Sequence, residues 1–389
     1  MSVKVDREVF LKALEAVQPG TSKRELVEQA ACVIFQNGEV LTYNEEIACR
    51  MPSPLGDEIE GAAPLKPLLD QLRKWKEEEI EIEATESELI VKGKGSRSAG
   101  FRLEAEISLP VGMVEKPNKW EKLHPDFGEA VGIVQQCAND DITSITQYVH
   151  VTTKYIQSCD NFQLCRWKIA TKLKKKDDDE AGEWLLRKSS IKHITSLGMG
   201  EFSETAAWVH FRNADGLVLS CRRYVDEFYD LDKALASGGE PAQLPKGLAE
   251  AADKAAVFSS ENLEGNQVEI SIKPGKLRIK GQGVLGWYSE TRSIKYQGPP
   301  IEFLASPVLL ADLVKRHTDC LIAPDRLRVD AGNYVFVACL SVAPNRNGQM
   351  NYKVDKIAKG ADEEEGDAPK QKVKRRKKVK VSKGKDEEE

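Results

Sequence analysis

The sequence predicts an α+β fold built from one unit used three times. Two observations carry this. Amphipathic, helix-like segments recur at nearly constant spacing, and strand-like segments of alternating apolar and polar residues stand around them in the same order each time. Composition supplies a third. Apolar residues make up 41% and charged residues 31% of 389, enough apolar material for packed cores, which excludes a wholly disordered chain.

The first helix of each unit starts near Arg7 (REVFLKALEAV), Pro125 (PDFGEAVGIVQQCA) and Lys246 (KGLAEAADKAAVF), at spacings of 118 and 121 residues. Apolar residues recur there at steps of three and four, as a helix face requires. A second helix starts near Leu65 (LKPLLDQLRKW), Ser190 (SIKHITSLG) and Pro307 (PVLLADLVKRH), spaced 125 and 117. Before each second helix stand strands: CVIFQNGEVLTYN, VHVTTKYIQSCDNFQLCRWKI and VEISIKPGKLRIKG. After each stands a strand pair: EIEIEATESELIVKG, TAAWVHFRNADGLVLSCRR and CLIAPDRLRVDAGNYVFVACL. Alternation with a turn signal between is the pattern of half-buried antiparallel strands. The order places units at 1–118, 119–238 and 239–345. Equivalent units set edge to edge make a curved array, or a ring if the rotation closes.

Residues 346–389 form a separate object, with 14 Lys and Arg against 10 Asp and Glu. ADEEEGD, KQKVKRRKKVKVSKGK and DEEE are charge blocks that cannot bury a core, so this tail is expected to be disordered. The net charge of −5 therefore hides an acidic body and a basic tail. An acidic body argues against gripping DNA over the whole outer surface and permits contact only where basic residues concentrate. The eight cysteines are scattered with no CxxC, and the five histidines form no HxxxH. They read as buried thiols in a reducing compartment, with no metal site and no cofactor. No apolar run approaches the ~18 residues of a membrane helix, and the charged, amphipathic N-terminus lacks the h-region of a secretory signal.

Several stretches resemble the bacterial DNA polymerase III beta subunit, the sliding-clamp family. VDREVFLKALEAV is similar to that family's opening helix. YIQSCDNFQLCRWKI resembles its T-D-G-H-R-L strand pair, and RKSSIKHITSLGMGEFSE with VHFRNADGLVLSCRRYVDEFYDL resembles its R-K-x-x-x-E-L and F-P-D-Y segments. ADKAAVFSSEN, VEISIKPGKLRIKG and NYVFVACL follow in family order, so the resemblance covers about 1–342. T-D-G-H-R-L becomes Cys159-Asp160-Asn161-Phe162-Gln163-Leu164, which keeps only the acidic and leucine positions, and the chain runs on past the family's usual end. The resemblance implies three clamp domains per chain, closing head to tail as a homodimeric ring around duplex DNA without sequence preference. It implies a cytoplasmic, nucleoid-associated, non-catalytic processivity subunit that tethers a DNA polymerase and is loaded by a separate ATPase.

A clamp must hold phosphates without reading bases, which calls for Lys and Arg on the lining helices. The second helices supply Lys66, Arg73, Lys74, Lys192, Lys315 and Arg316, with Arg187, Lys188 and His193 nearby. Lys23 and Arg24 stand where the family has a DNA-contacting arginine. The family's partner-peptide cleft maps onto Ile145, Cys159, Asn161, Phe162, Leu164, Val335 and Val337. Its ring closure maps onto Phe101 and Leu103 on one side and Val257 and Phe258 on the other. Each lysine reads equally as a solvated helix face, and each cleft apolar residue as plain core.

Gly281-Gln-Gly283-Val-Leu-Gly286 is a literal GxGxxG after a strand. The following WYSETRSIKY reads as strand, so no helix N-terminus is expected to hold a pyrophosphate. No GxxxxGK[ST], HExxH or GxSxG is present. Lys172–Glu180 (KLKKKDDDE) reads as a solvated loop. Lys374–Lys380 (KRRKKVK) reads equally as a nuclear localisation signal, which would fit a viral protein in a host nucleus, and as a non-specific DNA-binding tail. Two rival readings stay open: a clamp-like ring serving transcription or packaging, and an enzyme on an α+β repeat scaffold.

Overall fold

The computed structural model describes residues 2–22, 27–141, 143–171, 173, 182–259 and 267–342. Lys23, Arg24, the charge run but for Leu173, and the tail lie outside these residues. The helices are α1 (Arg7–Val17), α2 (Leu65–Lys74), α3 (Phe127–Val134), α4 (Lys188–Ile191), α5 (His193–Ser196), α6 (Asp232–Leu235), α7 (Leu248–Ala256) and α8 (Pro307–Arg316).

Helix α1 begins where the Asp6 side chain accepts a 2.9 Å hydrogen bond from the Val9 N–H, satisfying one of the first-turn donors. It buries Phe10, Ala13, Leu14 and Val17, one stripe at helical spacing. Helix α2 buries Leu65, Leu68, Leu69 and Leu72 the same way and carries Arg73 and Lys74 in its last turn, where cations suit the helix dipole. Helix α8 opens with Pro307 at its first position and closes with Lys315 and Arg316.

The second helix of the middle unit is not continuous. The expected segment from Ser190 becomes two four-residue turns, α4 and α5, with Lys192 between them. Ile191, Ile194 and Thr195 are β-branched and weak helix formers, and the Thr195 hydroxyl donates to the Gly128 carbonyl of α3 at 2.7 Å. The final strand pair of the third unit is in fact three strands, Asp319–Ala323, Arg326–Asp330 and Tyr334–Cys339, paired antiparallel in that order.

What joins the units is strand pairing. In the first unit the hairpin Glu39–Tyr43/Ile47–Pro52 offers its second strand to Val218–Tyr224 of the second unit, with Cys49 opposite Leu219. In the second unit the hairpin Tyr155–Cys159/Gln163–Lys168 offers its second strand to Tyr334–Cys339 of the third, with Cys165 opposite Phe336. The corresponding hairpin of the third unit, Lys276–Gly283/Gly286–Ser293, leaves Gly286–Ser293 at the edge of a five-stranded sheet. At the other end, Ser98–Arg102 is the edge of a four-stranded sheet. Among the described residues the chain thus ends in one unpaired edge of each kind that its two internal seams consume.

The GxGxxG glycines sit in that last hairpin. The strand Gly286–Ser293 follows, as the sequence predicts, and no helix does. A β-carbon on Gly281 would stand 1.8 Å from the Ala255 carbonyl oxygen, and one on Gly283 would stand 2.9 Å from that of Phe258. The glycines let the end of α7 lie directly on the hairpin, which is a packing role.

Candidate nucleic-acid and partner interface

The predicted DNA-contacting side chains are exposed. Lys66, Arg73, Lys74, Lys192, Lys315 and Arg316 all reach solvent. Their freedom differs. Arg73 is held 2.9 Å from Glu15 and 3.8 Å from Asp70. Lys315 lies 3.8 Å from Asp312, and Arg316 donates to the Gln136 side chain at 2.5 Å. Among the described residues Lys66, Lys74 and Lys192 have no ion-pair partner. Arg187 and Lys188 are half-buried and spoken for, by Glu46 at 2.9 Å and Asp140 at 3.2 Å. Burial and then the neighbouring Lys192 charge push the His193 imidazole down to about 4, so it is neutral at pH 7.

The predicted cleft residues do not form one open surface. Cys159, Leu164, Val335 and Val337 gather with Leu231 and Leu235 in a buried apolar cluster, with Phe228, Tyr229 and Ala234 packed over it. The segment Phe228–Leu235 is a strap across this face. Asp232 at the start of α6 is tied to Arg166 Nη1 at 2.5 Å. Arg166 Nε donates to Gln157 at 2.8 Å, and Gln157 lies 3.0 Å from His150 Nδ1. His150 Nε2 meets Glu183 at 2.8 Å, and its ring lies 5.0 Å from that of Phe228. Ile145 is half-buried in a separate short turn.

Strand periodicity explains the division, because successive residues face opposite sides. Val335 and Val337 lie under the strap. Tyr334 and Phe336 face the other way and line a cavity of about 690 Å³ between the second and third units. Phe162, 62% exposed, lines it too, and Asn161 beside it is exposed. Asp160 holds this tip: its Oδ1 accepts from the Phe162 and Gln163 N–H groups, both at 2.7 Å. The Phe162 carbonyl then accepts from the Cys339 N–H at 2.7 Å across the seam. Burial raises the Asp160 carboxyl despite these donors. Asp160 thus positions the residue two places on.

At the open ends of the chain the four predicted closure residues split. Phe101 is half-buried on its edge strand, whereas Leu103 is 5% exposed and packs into the first unit's core, its side chain pressed against Gly61. The neighbouring Glu104 bridges to Ala62, and a β-carbon on Gly61 would stand 2.9 Å from Leu103 Cδ1, so only glycine leaves room for Leu103 there. Val257 is 77% exposed, and the Phe258 ring lies half-buried against Gly286. Sequence reasoning did not single out Val284, Leu285 and Trp287, all strongly exposed at the hairpin turn whose flanking glycines, Gly283 and Gly286, lie against Phe258. The signal was present, in that an apolar Val-Leu turn between glycines is unusual for a solvated loop.

Among the described residues no cluster of His, Cys, Asp and Glu could hold a metal, and no helix is long and apolar enough to cross a membrane.

No protein-family model and no curated protein sequence matches the chain. Solved structures do. The DnaN sliding clamp (DNA polymerase III subunit beta) from Bartonella birtlesii, bound to griselimycin, matches 88% of this chain and 100% of its own at a TM-score of 0.75 and 15% identity. DNA polymerase III beta subunits from Thermotoga maritima and Pseudomonas aeruginosa match 87% of this chain, with TM-scores of 0.72 and 0.71 at 13% and 14% identity. The chain has the α+β sliding-clamp fold.

Proposed function

We propose that the protein is a DNA sliding clamp: a non-catalytic processivity factor that encircles duplex DNA and tethers a DNA polymerase. One observation carries the reading. The chain uses the same two kinds of strand edge at both internal seams and leaves one of each unpaired, Ser98–Arg102 and Gly286–Ser293. A second copy placed head to tail satisfies both edges. Two chains of three units, bounded at 1–118, 119–238 and 239–345, then close by rotation, and heterologous edges that close give a ring. Unpaired edges left in solution would invite uncontrolled association.

On this reading Phe101, Val257 and Phe258 lie at the closure, and Lys66, Arg73, Lys74, Lys192, Lys315 and Arg316 meet phosphates. Leu103 acts from behind, by shaping the edge strand. Partner peptides dock at the seam between the second and third units, where Phe162 and its cavity are the open apolar surface. For Cys159, Leu164, Val335 and Val337 to touch a peptide, the strap must move. Loading on DNA requires a separate ATPase. The setting is the nucleoid-bearing cytoplasm.

The deciding experiment measures solution mass by light scattering and retention on DNA after loading. A dimer retained on closed circular DNA and lost when the circle is cut supports a clamp. A stable monomer, or equal retention on linear and circular DNA, removes it. Recovery of a transcription factor instead of a polymerase in pull-downs keeps the ring and reassigns its client.

A further inference from the structure

The cavity between the second and third units is unfilled by the described chain, and its chemistry is specific. Its apolar wall includes Phe162, Val308, Leu309 and Phe336, of which Phe162 and Val308 are 62% and 70% exposed. Its polar rim carries three carboxylates, Asp160, Asp253 and Asp312. Arg316 is the one arginine or lysine among the lining residues, and it is turned toward Gln136 at 2.5 Å. His317 also lines the cavity. Burial and then the Arg316 charge lower its imidazole, and Asp319 opposes them. An apolar pocket with an acidic rim suits a segment of alternating apolar and basic residues.

Such a segment follows in the sequence within ten residues of this spot. The last described strand, Ser341–Val342, pairs with Ile301–Ala305, and Ser341 itself lines the cavity. The chain continues through residues 343–389. Residues 350–359 read MNYKVDKIAK, with Met350, Tyr352 and Val354 on alternate positions, then Ile357. Lys353, Lys356 and Lys359 oppose a single Asp355. Ten residues span at most ~33–36 Å when extended, far more than is needed to turn back onto a cavity that begins at Ser341. A tether this short holds its segment at an effective concentration on the order of millimolar. The later block KRRKKVK has the charge but only valine to offer the apolar wall.

We propose that residues 350–359 of the same chain occupy this cavity in cis, their apolar side chains on the Phe162 wall and their lysines at the three carboxylates. Resting on the clamp reading, this makes the tail a built-in competitor of partner peptides. A partner's apparent affinity is then reduced by the fraction of time the cavity is free.

The test uses the full chain with Phe162→benzoylphenylalanine, an exposed position, irradiated without DNA or partner. The cross-link is expected within residues 350–359. Irradiating a mixture of isotope-labelled and unlabelled chains should give no mixed cross-links. Tyr352→Asp with Ile357→Asp should lower the yield by about tenfold or more, because each lost apolar anchor weakens binding by an order of magnitude. Cross-links to residues 370–385, mixed cross-links, no cross-link in the tail, or a yield unmoved by the double substitution each overturn the proposal. None of these readouts involves DNA or ring closure, so they fail independently of the clamp reading.

Discussion

The Glu46 carboxylate accepts a hydrogen bond from the Tyr224 hydroxyl at 2.5 Å across the seam between the first and second units. Arg187 completes the clasp, with its Nη1 2.9 Å from the same carboxylate and its guanidinium 4.9 Å from the Tyr224 ring centre. Burial and then the Glu46 carboxylate push the Tyr224 hydroxyl well above its ordinary value, so it stays a donor at any physiological pH. A carboxylate at a hairpin tip and two side chains at strand ends thus add a polar clasp to the strand pairing of this seam.

Tyr224→Phe is therefore expected to destabilise the chain by about 1.5–3 kcal/mol, the range for hydrogen bonds to charged groups. Glu46→Ala should cost at least as much, because it strands the half-buried Arg187 charge. Urea unfolding of the two variants checks this. A change below about 0.5 kcal/mol for both, the size of an ordinary surface substitution, would mean the clasp is incidental.

Phe101→Asp and Leu103→Asp should separate two roles that the sequence assigned alike. Phe101 is half-buried on a free edge strand and Leu103 is packed inside its unit. A charge at 101 is expected to yield a folded monomer, seen by light scattering with unchanged circular dichroism. A charge at 103 is expected to unfold the first unit, since a buried unpaired charge costs several kcal/mol. A dimeric Phe101→Asp variant would move the closure elsewhere on the edge.

Gly281→Ala places a β-carbon where the Ala255 carbonyl oxygen lies 1.8 Å away. Backbone must shift to admit it, so a loss of roughly 1–3 kcal/mol is expected. Gly275→Ala, which meets nothing within 4 Å but has a φ of +74°, should cost about 1 kcal/mol from strain alone. Thermal melts compare the two. If Gly281→Ala melts like the parent, the glycines of this motif are not packing residues.

His210 is fully buried, with its ring nitrogens at Ser220 Oγ, 2.8 Å, and Thr205 Oγ1, 3.1 Å. Burial lowers its imidazole to about 4, Glu115 opposing the shift and Arg50 adding to it. The unfolded chain protonates this histidine near pH 6.5 and the folded chain does not, so the unfolded state binds more protons between those values. Its contribution to stability is complete above about pH 6.5 and is lost as the pH falls toward 4, by up to about 3 kcal/mol. His210→Gln should flatten the stability profile in that window. An unchanged slope between pH 6.5 and 4 would show that His210 does not carry it.

The fold was largely legible because it rests on local patterns. The stripe Phe10, Ala13, Leu14, Val17 announces α1. Alternation in EIEIEA and in KLRIKG announces strands. The break between α4 and α5 was hidden, because apolar spacing in SIKHITSLG is helical while tertiary contacts to α3 decide the backbone. Candidate site residues were legible only as positions. Whether Val335 or Phe336 faces open space depends on the strap Phe228–Leu235, which lies about a hundred residues earlier in the chain. The burial of Leu103 was equally illegible, because the residue it packs against, Gly61, lies about forty residues earlier in the chain.

DNA retention tests the basic helices. Arg73 is the poorest probe, because Glu15 and Asp70 already hold it, and reversing it adds repulsion inside the fold. Lys66, Lys74 and Lys192 are exposed and free of ion pairs among the described residues. Reversing these three to Glu should leave the melting temperature nearly unchanged, at about ±0.5 kcal/mol per site. Retention on closed circular DNA after loading should drop. For the parent, log affinity should fall linearly with log salt, with a slope of roughly −0.9 for each phosphate neutralised. The triple variant should show a shallower slope by about three such units. Base sequence should not matter to either, since phosphate contacts carry no sequence information. The measurement belongs on a chain truncated after Asn345 as well as on the full chain, because KRRKKVK can bind phosphates by itself. If the truncated triple variant keeps the parent's slope and retention, DNA does not pass along α2 and α4–α5.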